Sequence, residues 1–298
     1  MTCIIIILFF ENQTISQILI DRAINTPQSR LFCQLNTRMQ EVATFTFSQL
    51  QRRAERIACH LVEKRKIPAK TPIALLFPPG IELVCAVYAC MLCGCIPVTI
   101  KPPSTPAGIN TTGNPNSTLA FNTSLSAGSS TSADAVVSAL DSARQIMNAC
   151  NCSIVLTCVA VIKVIKAQKV SLAEGQNIID TDDLPKKRLV AQDFYHPQSL
   201  DEVAYMDFSW SPQGVPVGIR QTHSALLHIC QAQKLQCEFY PSREVVLSLD
   251  PYSGLGFTLW CLSGVYCGHL SYLVPPQLLE IQPELWLTAC SIKQGWIN

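Results

Sequence analysis

The chain has 298 residues, 48% of them hydrophobic and 14% charged, with a formal net charge of +1. That length and balance suit a core-rich globular protein of one large or two ordinary domains. They exclude the basic surface of a nucleic-acid binder and a strongly acidic partner surface. The fifteen cysteines are odd in number and sit inside apolar runs, as at Cys85, Cys90 and Cys93. They read as buried thiols in a reduced, cytoplasmic compartment rather than as a disulfide framework.

Residues 1–44 form a lead-in. Its first ten, Met1 to Phe10, hold eight consecutive apolar residues from Cys3. That run is too short to span a bilayer and has no basic leader, so it reads as a buried strand or as a non-native start. Ser48 with Gln51 spells a capping box, and Leu50, Ala54, Ile57, Ala58, Leu61 and Val62 follow at helical spacing. Ile73–Phe77 is a buried strand closed by Pro78-Pro79-Gly80. Ile81–Cys93 is apolar nearly all round, which predicts a buried helix with Gly94 at its C-terminal end. Ile96–Ile100 is the next strand. Strand, helix, strand at this length predicts a βαβ unit and a parallel sheet covered by helices.

The pattern breaks over 102–134, where Ser, Thr, Asn, Gly and Pro accumulate. Such a segment buries too little apolar surface to offset chain entropy and reads as a disordered insertion; the sequons at Asn110 and Asn122 carry no message without secretion. Residues 135–298 resume the alternation, with a helix over 136–150, strands over 154–157 and 178–180, and a helix over 159–169. Further strands lie near 245–249 and 271–274, with helices from His223 and about Leu255. The alternation reaches the last residue with no natural stop, as in a partial domain. Cys90-x-x-Cys93-Gly94-Cys95 has a zinc-like spacing, but no second Cys/His pair follows and a structural site wants four ligands, so no metal is expected there. Lys186-Lys187-Arg188 is a solvated turn.

The stretch from Tyr205 to His223 carries the most chemistry. It reads as a strand, a Ser/Gly/Pro loop, a second strand and a helix start at Thr222. Loops of this kind can offer backbone N–H groups to a phosphate. Ser209 and Ser211 keep hydroxyls, and Gly214 and Gly218 permit close backbone approach. Pro212 removes one donor, Trp210 is bulky, and Val217 brings no charge. Arg220 points to the opposite face from position 217. An ordinary hairpin with polar turn residues is the alternative reading of the same stretch.

The order Gly214, Pro216, Gly218, Thr222, His223 resembles the phosphate loop of the adenylate-forming (AMP-binding) superfamily, with Val217 where the lysine of Gly-x-Pro-Lys-Gly stands. Ile179–Lys187, Leu235–Arg243 and Leu249–Phe257 resemble the disco-interacting protein 2 family, as do Trp260-Cys261-Leu262, Gly268-His269 and Leu273–Pro276. The resemblance covers about 45–295 apart from the insertion. It implies an α/β fold, a helix-flanked, mainly parallel sheet that is a partial N-terminal domain of the adenylate-forming enzyme fold. It also implies fatty acyl-AMP ligase chemistry, in which a carboxylate attacks the α-phosphate of ATP, with Mg²⁺ as partner ion. Carried onto this chain, Ser209, Ser211, Gln213, Gly214 and Gly218 would hold the nucleotide. Tyr252, Ser253, Gly254 and Gly256, in the acyl-pocket motif, would meet a fatty acid or acyl lipid.

The resemblance places the later family motifs beyond Asn298, so no catalytic residue is assigned. His223 is expected to order the start of its helix rather than act as a base. Cys261 and Cys267 have no paired base and are not expected to be nucleophiles. Two function classes follow: an ATP-dependent acyl-activating ligase of lipid metabolism, with this chain itself inactive, or a non-catalytic acyl- or nucleotide-binding regulatory domain.

Overall fold

Runs of Val, Ile and Leu alternate with helices along most of the chain and assemble into two sheets. The computed structural model describes residues 13–103, 129–167, 177–293 and 296–297. The apolar start at 1–10 and, of the insertion expected over 102–134, residues 104–128 lie outside these residues. Helix α1 (Ile15–Asn25) precedes strands β1 (Arg30–Leu35) and β2 (Glu41–Thr46) and helix α2 (Phe47–Cys59). Then come β3 (Pro72–Leu76), α3 (Ile81–Leu92), β4 (Ile96–Thr99), α4 (Ser129–Ala149), β5 (Ile154–Thr157), α5 (Val159–Ala167) and β6 (Asn177–Asp180). Strands β7 (Val203–Trp210) and β8 (Pro216–Thr222) form a hairpin that leads into α6 (His223–Gln236) and β9 (Glu244–Leu247).

The rest is a broken helix, α7 (Gly254–Phe257), a π-helical turn (Thr258–Ser263) and α8 (Gly264–Cys267), followed by β10 (Leu270–Leu273). Helices α9 (Pro276–Ile281) and α10 (Leu285–Lys293) and the short β11 (Trp296–Ile297) complete the described chain. The strand order is β6-β5-β3-β4-β7-β8 in one sheet and β11-β9-β10-β1-β2 in the other. Each sheet is parallel except for one antiparallel edge pair, β7–β8 and β1–β2. The expected helix-flanked, mainly parallel sheet is present, and the 1–44 lead-in contributes to a second sheet that periodicity did not indicate. Strand β1 enters that sheet beside β10, with Phe32 opposite Ser271.

Helix α3 is the interior of the fold. Every residue in it except Glu82 is buried, and each large aliphatic side chain so placed contributes about 1.5–3 kcal/mol. Glu82 turns to Arg53 on α2, which donates to its Oε2 from Nε at 3.0 Å and from Nη2 at 2.9 Å. Beyond Cys93, Gly94 sits at φ +71°, and a Cβ there would lie 2.3 Å from the Tyr195 ring. The glycine is required twice, for its backbone and for its neighbour.

The start of α2 differs from the sequence expectation. The capping box is Thr46 with Gln49: the Gln49 N–H donates to Thr46 Oγ1 at 3.3 Å, and Gln49 Oε1 accepts the Thr46 N–H at 2.9 Å. Ser48 already lies inside the first turn, and the Gln51 amide instead donates to Glu55 at 2.8 Å. Thr46 wins because it ends β2 in extended backbone, the conformation an N-cap needs. Helix α4 begins at Ser129, inside the segment expected to be an insertion up to 134.

His269 is fully buried against Phe239, with Ser271 Oγ 3.3 Å from its Nδ1 and no partner at Nε2. Burial drives its pKa down to about 4. Between that value and the unfolded value near 6.5, the unfolded chain binds the extra proton, so stability falls as pH falls through this window. The expected loss is about 3 kcal/mol, complete near pH 4. Urea titrations from pH 7 to 4 check it: His269→Gln should remove about one proton's worth of slope, whereas an unchanged slope would show that His269 is not the group responsible.

Candidate functional site

The β7–β8 hairpin fixes most of the residues expected to hold phosphate. The ladder pairs Tyr205 with Gln221, Asp207 with Ile219, Ser209 with Val217 and Phe208 with Gly218. Ser209 and Gly218 are therefore strand residues, and the loop proper is the five residues 211–215. That loop is closed on itself. The Ser211 N–H donates to the Val215 carbonyl and the Gly214 N–H to the Ser211 carbonyl, both at 2.9 Å. The Val215 N–H donates to Ser211 Oγ at 3.2 Å. With Pro212 lacking an N–H, Gln213 is the one loop residue whose N–H stands outside this set.

The two glycines serve the hairpin. Gly214 takes φ +74° in open space, and Gly218 lies where a Cβ would meet the Phe208 ring at 2.8 Å. Val217 and Trp210 are exposed, and Arg220, opposite Met206, stands on the other face from Val217. Within the described hairpin, the N–H groups of Ser211, Gly214 and Val215 are engaged by the loop itself.

The acyl-motif residues split. Tyr252 is buried and anchored at both ends. Its hydroxyl donates to the Phe77 carbonyl at 2.7 Å, its own carbonyl accepts from Thr99 Oγ1 at 2.5 Å, and the Tyr205 hydroxyl lies 2.6 Å from Thr99 Oγ1 and 3.2 Å from that carbonyl. Burial pushes both tyrosines well above their usual pKa, so they stay protonated donors. Gly256 is packed so closely that a Cβ would sit 1.8 Å from the Asp250 carbonyl oxygen. Ser253 is exposed and makes no side-chain cap bond. Gly254, at φ +53°, donates its N–H to Asp207 Oδ2 at 3.0 Å and thereby reaches a cleft.

That cleft, of about 250 Å³, lies between β7, β8, α6 and the broken helix. Tyr205 and Asp207 come from β7 and Gln221 from β8; Leu226 and Ile229 come from α6, and Gly254, Leu255, Phe257 and Thr258 close it. Tyr205 and Phe257 stack with centroids 3.7 Å apart. Asp207 is half-buried; burial raises its pKa, and its Oδ1 has no hydrogen-bond partner. Sequence reasoning missed Asp207, Gln221, Leu226, Ile229 and Thr258. Strand alternation could have found Asp207, since it shares a face with Tyr205 and Ser209.

His223 lies elsewhere, buried beside Glu202, whose carbonyl accepts its N–H at 3.1 Å, just after Thr222 caps Ala225. Burial lowers its pKa, which fits a residue that orders a helix start. Cys261 and Cys267 are buried with raised pKa values, the latter to about 12, so neither is held as a thiolate. Among the described residues no three His, Cys, Asp or Glu side chains converge as a metal site, and no helix is long and apolar enough to cross a membrane.

A family model described as AMP-binding enzyme matches residues 21–293. The chain belongs to the AMP-binding enzyme family. It is 39% identical over 274 residues to disco-interacting protein 2 homolog A of Mus musculus, covering 91% of this chain and 16% of that protein. It is 38% identical over 283 residues to disco-interacting protein 2 of Drosophila melanogaster, covering 94% and 14%. The chain thus spans about a sixth of the length of these relatives. The fold is also that of a fatty acyl-adenylate ligase from L. pneumophila, solved in complex with acyl adenylate and pyrophosphate. The TM-score is 0.76 at 21% identity, over 96% of this chain and 44% of that one.

Glycine scanning separates the two roles found here. Gly256→Ala is expected to destabilise by about 1–3 kcal/mol, because backbone must shift to admit the methyl. Gly214→Ala, strained only in φ, should cost about 1 kcal/mol. Chemical denaturation of the two variants checks the order, and equal losses would contradict it.

Proposed function

We propose that this AMP-binding domain is the acyl-holding part of a fatty acyl-AMP ligase-like unit of lipid metabolism, and that its own phosphate hairpin does not bind nucleotide productively. The reading rests on the closed hairpin: the N–H groups of Ser211, Gly214 and Val215 are spent within the loop, and Val217 supplies no charge. A phosphate cradle works by donors already aimed at the anion. Ser209, Ser211, Gln213, Gly214 and Gly218 therefore do not fit the phosphates of ATP as they stand. ATP and Mg²⁺ remain the expected cofactors of a complete family unit, and no step is routed through them here.

The apolar cleft behind Gly254 supports the acyl half of the proposal. Leu226, Ile229, Leu255 and Phe257 would line a hydrocarbon chain of a fatty acid or acyl lipid, in a space of about 250 Å³. The closed hairpin equally favours a binding or regulatory role over turnover. Tyr252 and Gly256 then hold the cleft in shape rather than touch the chain, and Gly254 stands at its wall.

Pyrophosphate exchange with fatty acid and ATP tests the proposal. No exchange above background is expected from this polypeptide or from Val217→Lys, since one lysine restores a point charge but not the donors. Clear exchange by the natural chain would overturn it. Exchange gained only by Val217→Lys would mean that charge alone, and not hairpin closure, withholds activity.

A further inference from the structure

Helices α3 and α4 end in the same turn. The first runs out at Cys93-Gly94-Cys95 and the second at Cys150-Asn151-Cys152, and the middle residue of each turn is left-handed, at φ +71° and +51°. In the first turn the Cys90 carbonyl accepts the Cys95 N–H at 2.9 Å and the Cys93 thiol at 3.4 Å. In the second the Met147 carbonyl accepts the Cys152 N–H at 2.8 Å and stands 3.6 Å from Cys150 Sγ. A left-handed residue at a helix end folds the chain back on the last turn, so both cysteines of each turn converge on one carbonyl. Their thiols meet as hydrogen-bond partners, Cys93 with Cys95 and Cys150 with Cys152. The turns differ in exposure. Cys93 and Cys95 are both buried, whereas Cys150 is half-buried.

Cys152 is held from its own side, with Sγ 3.2 Å from the Pro72 carbonyl at the start of β3 and 3.1 Å from the Ile154 carbonyl. The thiol–thiol bond lowers the Cys152 pKa, which burial alone would raise, and it raises that of Cys150. One thiolate is thus favoured with a protonated thiol beside it, the arrangement that thiol oxidation needs.

We propose that Cys150 and Cys152 are a modification site, a dithiol that hydrogen peroxide oxidises to an intrachain disulfide, while the matching Cys93–Cys95 turn stays reduced. The Cys152 thiolate attacks one peroxide oxygen, which breaks the O–O bond and leaves a sulfenic acid and one water. The Cys150 sulfur then attacks the sulfenic sulfur, forming the S–S bond and releasing the second water with its own proton. Two thiols give up two electrons and two protons, and one peroxide becomes two waters. Exposure selects between turns of like geometry, because the oxidant must reach a sulfur. Asn151 supports the ring, since Asn is one of the few residues with a side chain that tolerates left-handed backbone.

Peroxide treatment of the natural chain tests the proposal, followed by alkylation with iodoacetamide under denaturing conditions and tandem mass spectrometry of the tryptic peptide Gln145–Lys163. That peptide should lose two hydrogens between Cys150 and Cys152, with Cys158 still alkylated, and dithiothreitol should restore both thiols. Cys93 and Cys95 should stay reduced at the same exposure. Cys150→Ser should abolish the disulfide. Phenylarsine oxide, which bridges paired thiols without oxidising them, should bind one equivalent fewer to that variant. Four results would each overturn the inference: Cys150 and Cys152 both alkylated after peroxide, earlier oxidation at Cys93–Cys95, a bond from Cys150 to any other thiol, or equal arsenical uptake by both chains. Should Cys150→Ser not fold, the peptide masses of the natural chain still decide.

Discussion

A single buried polar junction holds the working end of this fold together. The Tyr252 carbonyl receives the Thr99 hydroxyl, which stands 2.6 Å from the Tyr205 hydroxyl, and the Tyr252 hydroxyl reaches the Phe77 carbonyl. Strands β4 and β7 of the six-stranded sheet, and the residue just after β3, are thereby tied to the turn that follows β9 of the other sheet. Each donor is a neutral hydroxyl kept protonated by burial, so no ion is stranded in the interior. A buried polar network is worth its desolvation only when every member is satisfied, and here the three hydroxyls and the carbonyl are. The turn is pinned so that Gly254 meets Asp207, and the cleft opens beside it.

Function follows from what that pinning leaves available. The hairpin β7–β8 begins at the junction, through Tyr205, and ends in a loop that satisfies itself. In the same strand, Asp207 faces an apolar space with one oxygen unfilled. The scaffold of the AMP-binding enzyme family is thus present, with three loop N–H groups engaged inside the β7–β8 hairpin and an acidic group at the wall of the cleft. Both features concern electrostatics rather than fold, so the shared fold with an adenylate ligase leaves them open.

Much of the architecture was legible in the sequence because apolar runs decide it. The all-round apolar stretch Ile81–Leu92 could only be a buried helix, and Pro78-Pro79-Gly80 and Gly94 punctuate it. The strands at 73–77, 96–100 and 154–157 were bounded by the same logic. The second sheet was not legible, since β1 pairs with β10 across some 240 residues of chain and no local pattern announces such a partner. The capping box slipped by two residues because Ser48-x-x-Gln51 and Thr46-x-x-Gln49 both fit the motif, and only the end of β2 selects between them. Asp207 was invisible for a related reason. A polar residue in an edge hairpin reads as ordinary alternation until the helix packed over it is known.

The central claim is that the N–H groups of Ser211, Gly214 and Val215 serve the hairpin and not a phosphate. Amide hydrogen exchange across residues 209–218, with and without saturating ATP, tests it most directly. The account predicts that Ser211, Gly214 and Val215 are protected in the free protein and that ATP leaves their exchange unchanged. Rapid exchange of those amides without nucleotide, with protection appearing on addition of ATP, would contradict it.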